Sequence, residues 1–199
     1  VIPVSINPGS IIQGPAILYS APFGTAEPAD SSVTPAGYTV VPAAPWADAG
    51  STQEGVMFDV DTTITEQTVD QVPDPVGGRL TKRVIQVTTT LAETTLANLN
   101  LAMNGLLTIS VNSGYTTADV QTTTSATQPS YASLMIYGWG PLLASGSPSL
   151  RRLIIRKRLS QVKVSLAYQM AKNAVYAVTF SGYYISPSIS PFHISEATA

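Results

Sequence analysis

The 199-residue chain is 44% hydrophobic and has no cysteine. It is long enough for one domain with its own core, too apolar to be unfolded throughout, and unable to form disulfides or thiolate metal sites. Only 11% of the residues are charged, against about 25% in an average soluble domain, which points to a surface largely covered by neighbouring subunits. The net charge of −2 conceals a polarity along the chain. Residues 1–78 hold nine acids (Glu27, Asp30, Asp48, Glu54, Asp59, Asp61, Glu66, Asp70 and Asp74) and no Lys or Arg, whereas residues 150–199 hold seven bases and one acid, Glu196. Two arrangements follow: identical copies attract head to tail, or the acidic and basic segments pair within one subunit.

In chain order, residues 1–10 carry two prolines and a glycine and read as an N-terminal arm. They lack the basic and apolar regions of a signal peptide, and no apolar run in the chain approaches the ~20 residues of a membrane span. Residues 11–20 are a short apolar stretch. Residues 21–50, rich in Pro, Gly and Ala, predict a long ordered loop with one short strand near residues 38–41. From residue 55, Val56, Phe58, Val60, Thr62 and Ile64 alternate with Met57, Asp59, Asp61, Thr63 and Thr65, predicting a strand with one buried and one wet face. A turn-rich stretch, residues 69–78, leads to a second strand over 79–91, with Ile85, Val87, Thr89 and Leu91 on one face. Together they make a long β-hairpin with a protruding tip.

One helix is predicted at about residues 91–104. Thr90 and Glu93 have capping-box spacing, Leu96, Leu99 and Met103 form an apolar stripe, and Asn104-Gly105 supplies a left-handed stop. Residues 111–130 read as a polar loop. Strands follow at 134–139, 150–159, 162–168 and 174–184, the last with Tyr176, Val178 and Phe180 on one face. Residues 185–199, with spaced prolines, read as a C-terminal arm. The domain plan is thus a single unit over 1–199, with a β core at 11–184 between two arms, and the fold class is mainly β.

Chemistry is scarce. His193 is the sole histidine and sits in the Pro/Ser tail, where a general base is hard to position, so it reads as a solvated or packed side chain. No Cys/His or Ser/His/Asp nucleophile and no usual zinc site can be assembled. Asp59 and Asp61 share a strand face and could bind a divalent cation, but they stand in no calcium-loop pattern and read as a wet acidic face. The run RRLIIRKR at 151–158 reads as an interface or edge strand, with nucleic-acid contact as the alternative. No catalytic, cofactor or metal residue is assigned, and an enzyme is not expected.

Residues 46–56, WADAGSTQEGV, resemble the W-x-D-x-G-x-T-x-x-G segment of major tail tube proteins of long, flexible-tailed bacteriophages. GPAILYSAPFGTAEPAD (14–30) resembles the N-terminal segment of that family, VDQVPDPVGGRLTKRVIQVTTTLAE (69–93) its long hairpin, and TLANLNLAMNG (95–105) its single helix. The match covers about half the chain, residues 14–105. The C-terminal half agrees only in strand content and basicity, and the Pro-rich tail after 185 departs from the pattern. The resemblance implies a β-sandwich or barrel-like domain whose copies form hexameric rings, stacked into a hollow tube for genome DNA in the virion tail. Expected partners are other copies, a tape-measure protein, and tail-terminator and distal tail proteins. DNA would transit without specific binding. A conduit should not hold phosphates, so Asp59, Asp61, Thr63 and Thr65 are expected to face the lumen, with the opposite face buried. The expected inter-subunit residues are Asp70, Asp74 and Arg79 on the hairpin tip and Arg151, Arg152, Arg156, Lys157 and Arg158 on the basic strand. Alternatives are a head-decoration or connector protein of a phage, or a carbohydrate-binding β-sandwich module.

Overall fold

A computed structural model describes residues 11–12, 14–33, 41–122, 129–143, 146–161 and 163–197. The N-terminal arm at 1–10 lies outside the described residues, as does most of the short strand expected near 38–41. The elements are β1 (Ala16–Pro22), β2 (Ala47–Asp48), β3 (Thr52–Val69), β4 (Val72–Leu91), α1 (Leu96–Ala102), β5 (Leu107–Asn112), β6 (Tyr115–Val120), β7 (Ala132–Trp139), β8 (Leu150–Ser160), β9 (Tyr176–Gly182) and β10 (Phe192–Glu196). The fold is mainly β with a single helix, as expected. One antiparallel sheet runs β2-β1-β7-β8-β9-β4-β3, with β10 added to β8, and β5-β6 form a separate hairpin.

The main sheet folds over itself at β8. Residues 151–155 of β8 lie between β7 and β10, whereas residues 158–160 pair with β9. The alternation of each strand supplies the two inner faces. Leu18 of β1, Leu134 and Ile136 of β7, and Leu153 and Ile155 of β8 meet Ile85, Val87 and Leu91 of β4 and Tyr176, Val178 and Phe180 of β9 in one buried cluster. Fully burying each of the larger side chains contributes about 1.5–3 kcal/mol. Phe58 of β3 meets Phe192 of β10 edge to face at 5.5 Å, linking the far ends of the two layers. A second, smaller core lies on the outer face of β1-β7-β8, where Trp46 covers Tyr19, Met135, Tyr137 and Ile154. Trp46 is anchored by its Nε1–H, which donates to the Ala26 carbonyl at 3.1 Å.

Several expectations need correction. The helix is shorter than 91–104, and Thr90 does not cap it. Thr90 and Leu91 remain in the β4–β9 ladder, with Leu91 fully buried. The N-cap is Thr95, whose hydroxyl accepts from the Asn98 amide at 3.1 Å, while Glu93 accepts instead from the Ser51 amide. The stop is as expected, with Asn104 and Gly105 at φ 57 and 75. The turn-rich stretch 69–78 is mostly strand: Val69 pairs with Val72, and only Asp70 and Gln71 turn. Pro73 and Pro75 are tolerated because β4 has no partner on its other side there. The polar loop at 111–130 conceals the β5–β6 hairpin around Ser113-Gly114. The segment 162–168 makes no strand among its described residues; Val164 and Leu166 line a cleft against α1 instead. The C-terminal segment is not a free arm, since β10 joins the sheet through Phe192↔Ile155 to Glu196↔Arg151.

The Thr95 cap yields a test. Thr95→Ala removes an exposed side chain and its hydrogen bond and is expected to cost about 1 kcal/mol in urea unfolding, with Thr90→Ala leaving the helix start unchanged. The same loss of helix from Thr90→Ala would place the cap at Thr90.

Candidate functional site

The dominant surface feature is the β3–β4 hairpin. β9 supports β4 only over residues 85–91. Beyond Val84 the ribbon has two strands and no third. At its base a bulge between Gln53 and Val56 holds Glu54 and Gly55 at φ 66 and 82, a left-handed pair that re-aims the strand as it leaves the body. The Gly55 carbonyl accepts from the Thr89 hydroxyl at 2.8 Å.

Cross-strand register sorts the hairpin into two faces. One carries Phe58/Val87, Val60/Ile85, Thr62/Arg83 and Ile64/Leu80, continuing the line of the core. Burial fades along it: Val87 is 0% exposed, Val60 41%, and Ile64 and Leu80 are 63% and 55% exposed. The face expected to be buried is thus open from Val60 outward. Gly78 makes room there for Ile64, whose Cγ2 lies 2.9 Å from where a Cβ would sit. The opposite face carries Asp59/Gln86, Asp61/Val84, Thr63/Lys82 and Thr65/Arg79. All four residues expected in the lumen therefore share one exposed face, and Lys82 and Arg79 share it with them. That face is mixed in charge rather than acidic. Thr65 and Thr81 hydroxyls meet at 3.2 Å, and Thr81 also donates to the Thr63 carbonyl at 3.1 Å. Asp70, Asp74 and Arg79 are exposed on the distal part of the hairpin.

The basic strand is placed differently from the expectation of an exposed interface or edge. β8 is interior to the sheet. Arg152 and Arg158 are 1% and 2% exposed, so neither presents its side chain on the outer surface of the chain. Arg152 pairs with Asp30 at 2.6 Å, Arg156 with Glu27, and Arg151 with Glu196 at 2.5 Å. Lys157 Nζ lies over the Tyr131 ring at 4.2 Å and near Phe23 at 5.7 Å. The N-terminal acids and the C-terminal bases thus pair within one chain at two places, Asp30–Arg152 and Glu27–Arg156, fixing the segment around residues 23–33 to the outer face of β8. No periodic pattern marks Glu27 or Asp30 in their Pro/Ala-rich context; the only signal was the separation of charge.

His193 belongs to this cluster. It lies on β10, with Nε2 3.0 Å from Asp30 Oδ1 and 3.2 Å from Oδ2. The His193 hydrogen bond, helped by Arg152, holds the Asp30 carboxyl below its ordinary range against the opposing effect of burial. The Glu27 hydrogen bond likewise raises Arg156. The histidine tethers β10 to the 3₁₀ turn at Asp30–Ser32. Among the described residues, no group of three or more His, Cys, Asp or Glu side chains is placed to hold a metal ion, and no helix is long and apolar enough to cross a membrane.

No protein-family model matches the chain, and comparison with curated proteins finds no match.

Asp30→Asn tests the pairing. Because the folded-state carboxyl is lowered, its contribution is present above the ordinary carboxylate range and is lost as pH falls through the depressed value. The variant is expected to be less stable at neutral pH by roughly 1–3 kcal/mol. That is below the cost of breaking a fully buried pair, because Asp30 is largely exposed. Its stability should also fall less steeply in acid, read from urea melts across pH. Identical acid limbs would remove Asp30 from the account.

Proposed function

We propose that this chain is a non-catalytic structural subunit that assembles with copies of itself, and that the assembly is a hollow tube of stacked rings of the phage-tail type. The observation that carries the reading is the β3–β4 ribbon. Its strands are 18 and 20 residues long, and its distal part has neither face buried. A two-stranded ribbon alone is marginal in water, and long exposed edges invite pairing. Here β3 has a free edge along its length, and β4 has one from Val72 to Val84. Two open edges on opposite sides of one ribbon suit head-to-tail addition of copies, which closes into rings. The apolar face bearing Val60, Ile64 and Leu80 would be covered in that arrangement.

On this reading the face with Asp59, Asp61, Thr63 and Thr65 lines the bore. Arg79 and Lys82 on the same face offset the two aspartates, leaving the wall near neutral and rich in hydroxyls. Such a wall offers phosphates no surplus of positive charge and so releases few counterions to hold DNA. The tube-type reading rests on the resemblance of residues 14–105. It places the protein in a virion tail, with its own copies as the main partners and tape-measure, terminator and distal tail proteins at its ends.

Two experiments test the proposal. Ile64→Ser with Leu80→Ser changes exposed positions without adding charge, so monomer stability is expected to move by no more than about 0.5 kcal/mol while sedimentation velocity shows loss of assembly; unaltered assembly would refute the role of this face. Asp59→Lys with Asp61→Lys is expected to leave assembly intact and slow DNA release from particles, with the slowing relieved by salt. Release at the wild-type rate would take these residues out of the bore.

A further inference from the structure

Of the four arginines on β8, three have a carboxylate partner and one does not. Arg158 forms no ion pair among the described residues, although it is 2% exposed. Its position is set by an irregularity in the β7–β8 ladder: Leu134 pairs with Ile155, but Ala132 pairs with Arg158. The extra β8 residue switches the side-chain parity, so Arg158 turns inward with Leu153 and Ile155 instead of outward with Arg152 and Ile154. There the guanidinium lies over the Phe180 ring at 4.4 Å. Nη1 donates to the Leu101 carbonyl at 3.3 Å and Nη2 to the Ser20 hydroxyl at 2.8 Å. Nε is buried and has no acceptor. All of these partners are neutral.

The same side chain lines a cleft of about 380 Å³ between the end of β1, the start of β7 and α1, with Ser20, Asn100, Leu101, Tyr131 and Ala132 among its walls. Among the described residues, no acid lines it. Burial pulls the Arg158 guanidinium down to about 10, so the group is still charged at neutral pH. A buried cation with no anion is costly, and it strongly favours any anion that can reach it. The Nε–H and Nη2 edge of a guanidinium is the one a carboxylate grips with two parallel hydrogen bonds. The walls mix Ala, Pro, Leu and Tyr with Ser20, Asn100, Asn104 and Ser130, and Arg158 is the one cation among them, which suits a singly charged carboxylate on a short apolar stem better than a doubly charged phosphate.

We propose that the Arg158 cleft is a carboxylate-binding site. The carboxylate comes either from a small free acid or from an acidic side chain of a second copy, and the site stands independently of the tube reading. Propionate is the probe for the first source. In ¹H–¹⁵N spectra of the full chain, the Arg158 Nε–H resonance is expected to shift saturably with propionate and not with chloride at equal ionic strength, and propionate should raise the melting temperature. Arg158→Met is expected to weaken propionate binding roughly tenfold or more, as for loss of a charge-assisted hydrogen bond. For the second source, the same resonance shifts with protein concentration in the absence of propionate, and Glu66→Gln/Asp70→Asn/Asp74→Asn abolishes that shift. If Arg158→Met fails to fold, the wild-type titration decides alone. A resonance that responds to neither propionate nor protein concentration overturns the proposal, and leaves self-assembly through the hairpin untouched.

Discussion

A β-ribbon sheds water only where something lies against it, and in this chain that support ends part-way along the hairpin. Ile85, Val87 and Leu91 are buried because β9 and the inner faces of β1, β7 and β8 lie over them. A few residues outward, the same face of the same ribbon carries Ile64 and Leu80 in solvent. Hydrogen bonding between β3 and β4 continues outward through register shifts at Thr63/Ile64 and Gln67/Val69, but the apolar layer stops. The hydrophobic face therefore outlasts the body that could cover it. Exposed apolar side chains beside a long open edge support the proposed interaction surface, and the self-assembly reading depends on that mismatch.

Electrostatics divides along the same line. Within the body, charge is settled internally: Asp30, Glu27 and Glu196 each meet an arginine of β8, and His193 adds a second contact to Asp30. These pairs fasten the irregular segment around residues 23–33 to the outer face of β8 and the terminal strand β10 alongside it, and His193 ties the two together. On the hairpin, by contrast, Asp59, Asp61, Glu66, Asp70 and Asp74 face water together with Arg79, Lys82 and Arg83. The basic run that looked like an external adhesive is a central strand, and the ribbon carries a large share of the exposed charge, with Asp48, Asp119, Lys163 and Lys172 exposed elsewhere. Arg158, turned inward by a slip in register, is the one β8 arginine without a carboxylate.

The parts legible in the sequence are those where one strong periodicity met one available neighbour. The alternation of Tyr176, Val178 and Phe180 and of Ile85, Val87, Thr89 and Leu91 predicted the faces that pack together, and the strand expected at 134–139 lies within β7. The misreadings arose where two local signals competed. Thr90 and Thr95 both resemble N-caps, and the choice fell to Leu91, whose burial against Tyr176 keeps Thr90 in the ladder. Residues 163–168 carry strand alternation, yet Val164 and Leu166 turn to α1. Prolines at 73 and 75 suggested a turn, but they lie within β4, where the missing N–H has no partner to lose, and Pro191 immediately precedes β10. The exposure of Ile64 and Leu80 could not be read at all, because alternation reports which face a residue takes and not whether anything covers that face.

Hydrogen–deuterium exchange followed by mass spectrometry, comparing dilute protein with its assembled form, tests the central claim most directly. Peptides from residues 57–84 are expected to exchange rapidly in dilute solution, to become strongly protected on assembly, and to gain more protection than peptides from β7 and β8. Equal and high protection of residues 57–84 in the dilute monomer would contradict the account, since the ribbon would then be stable without its sister chains.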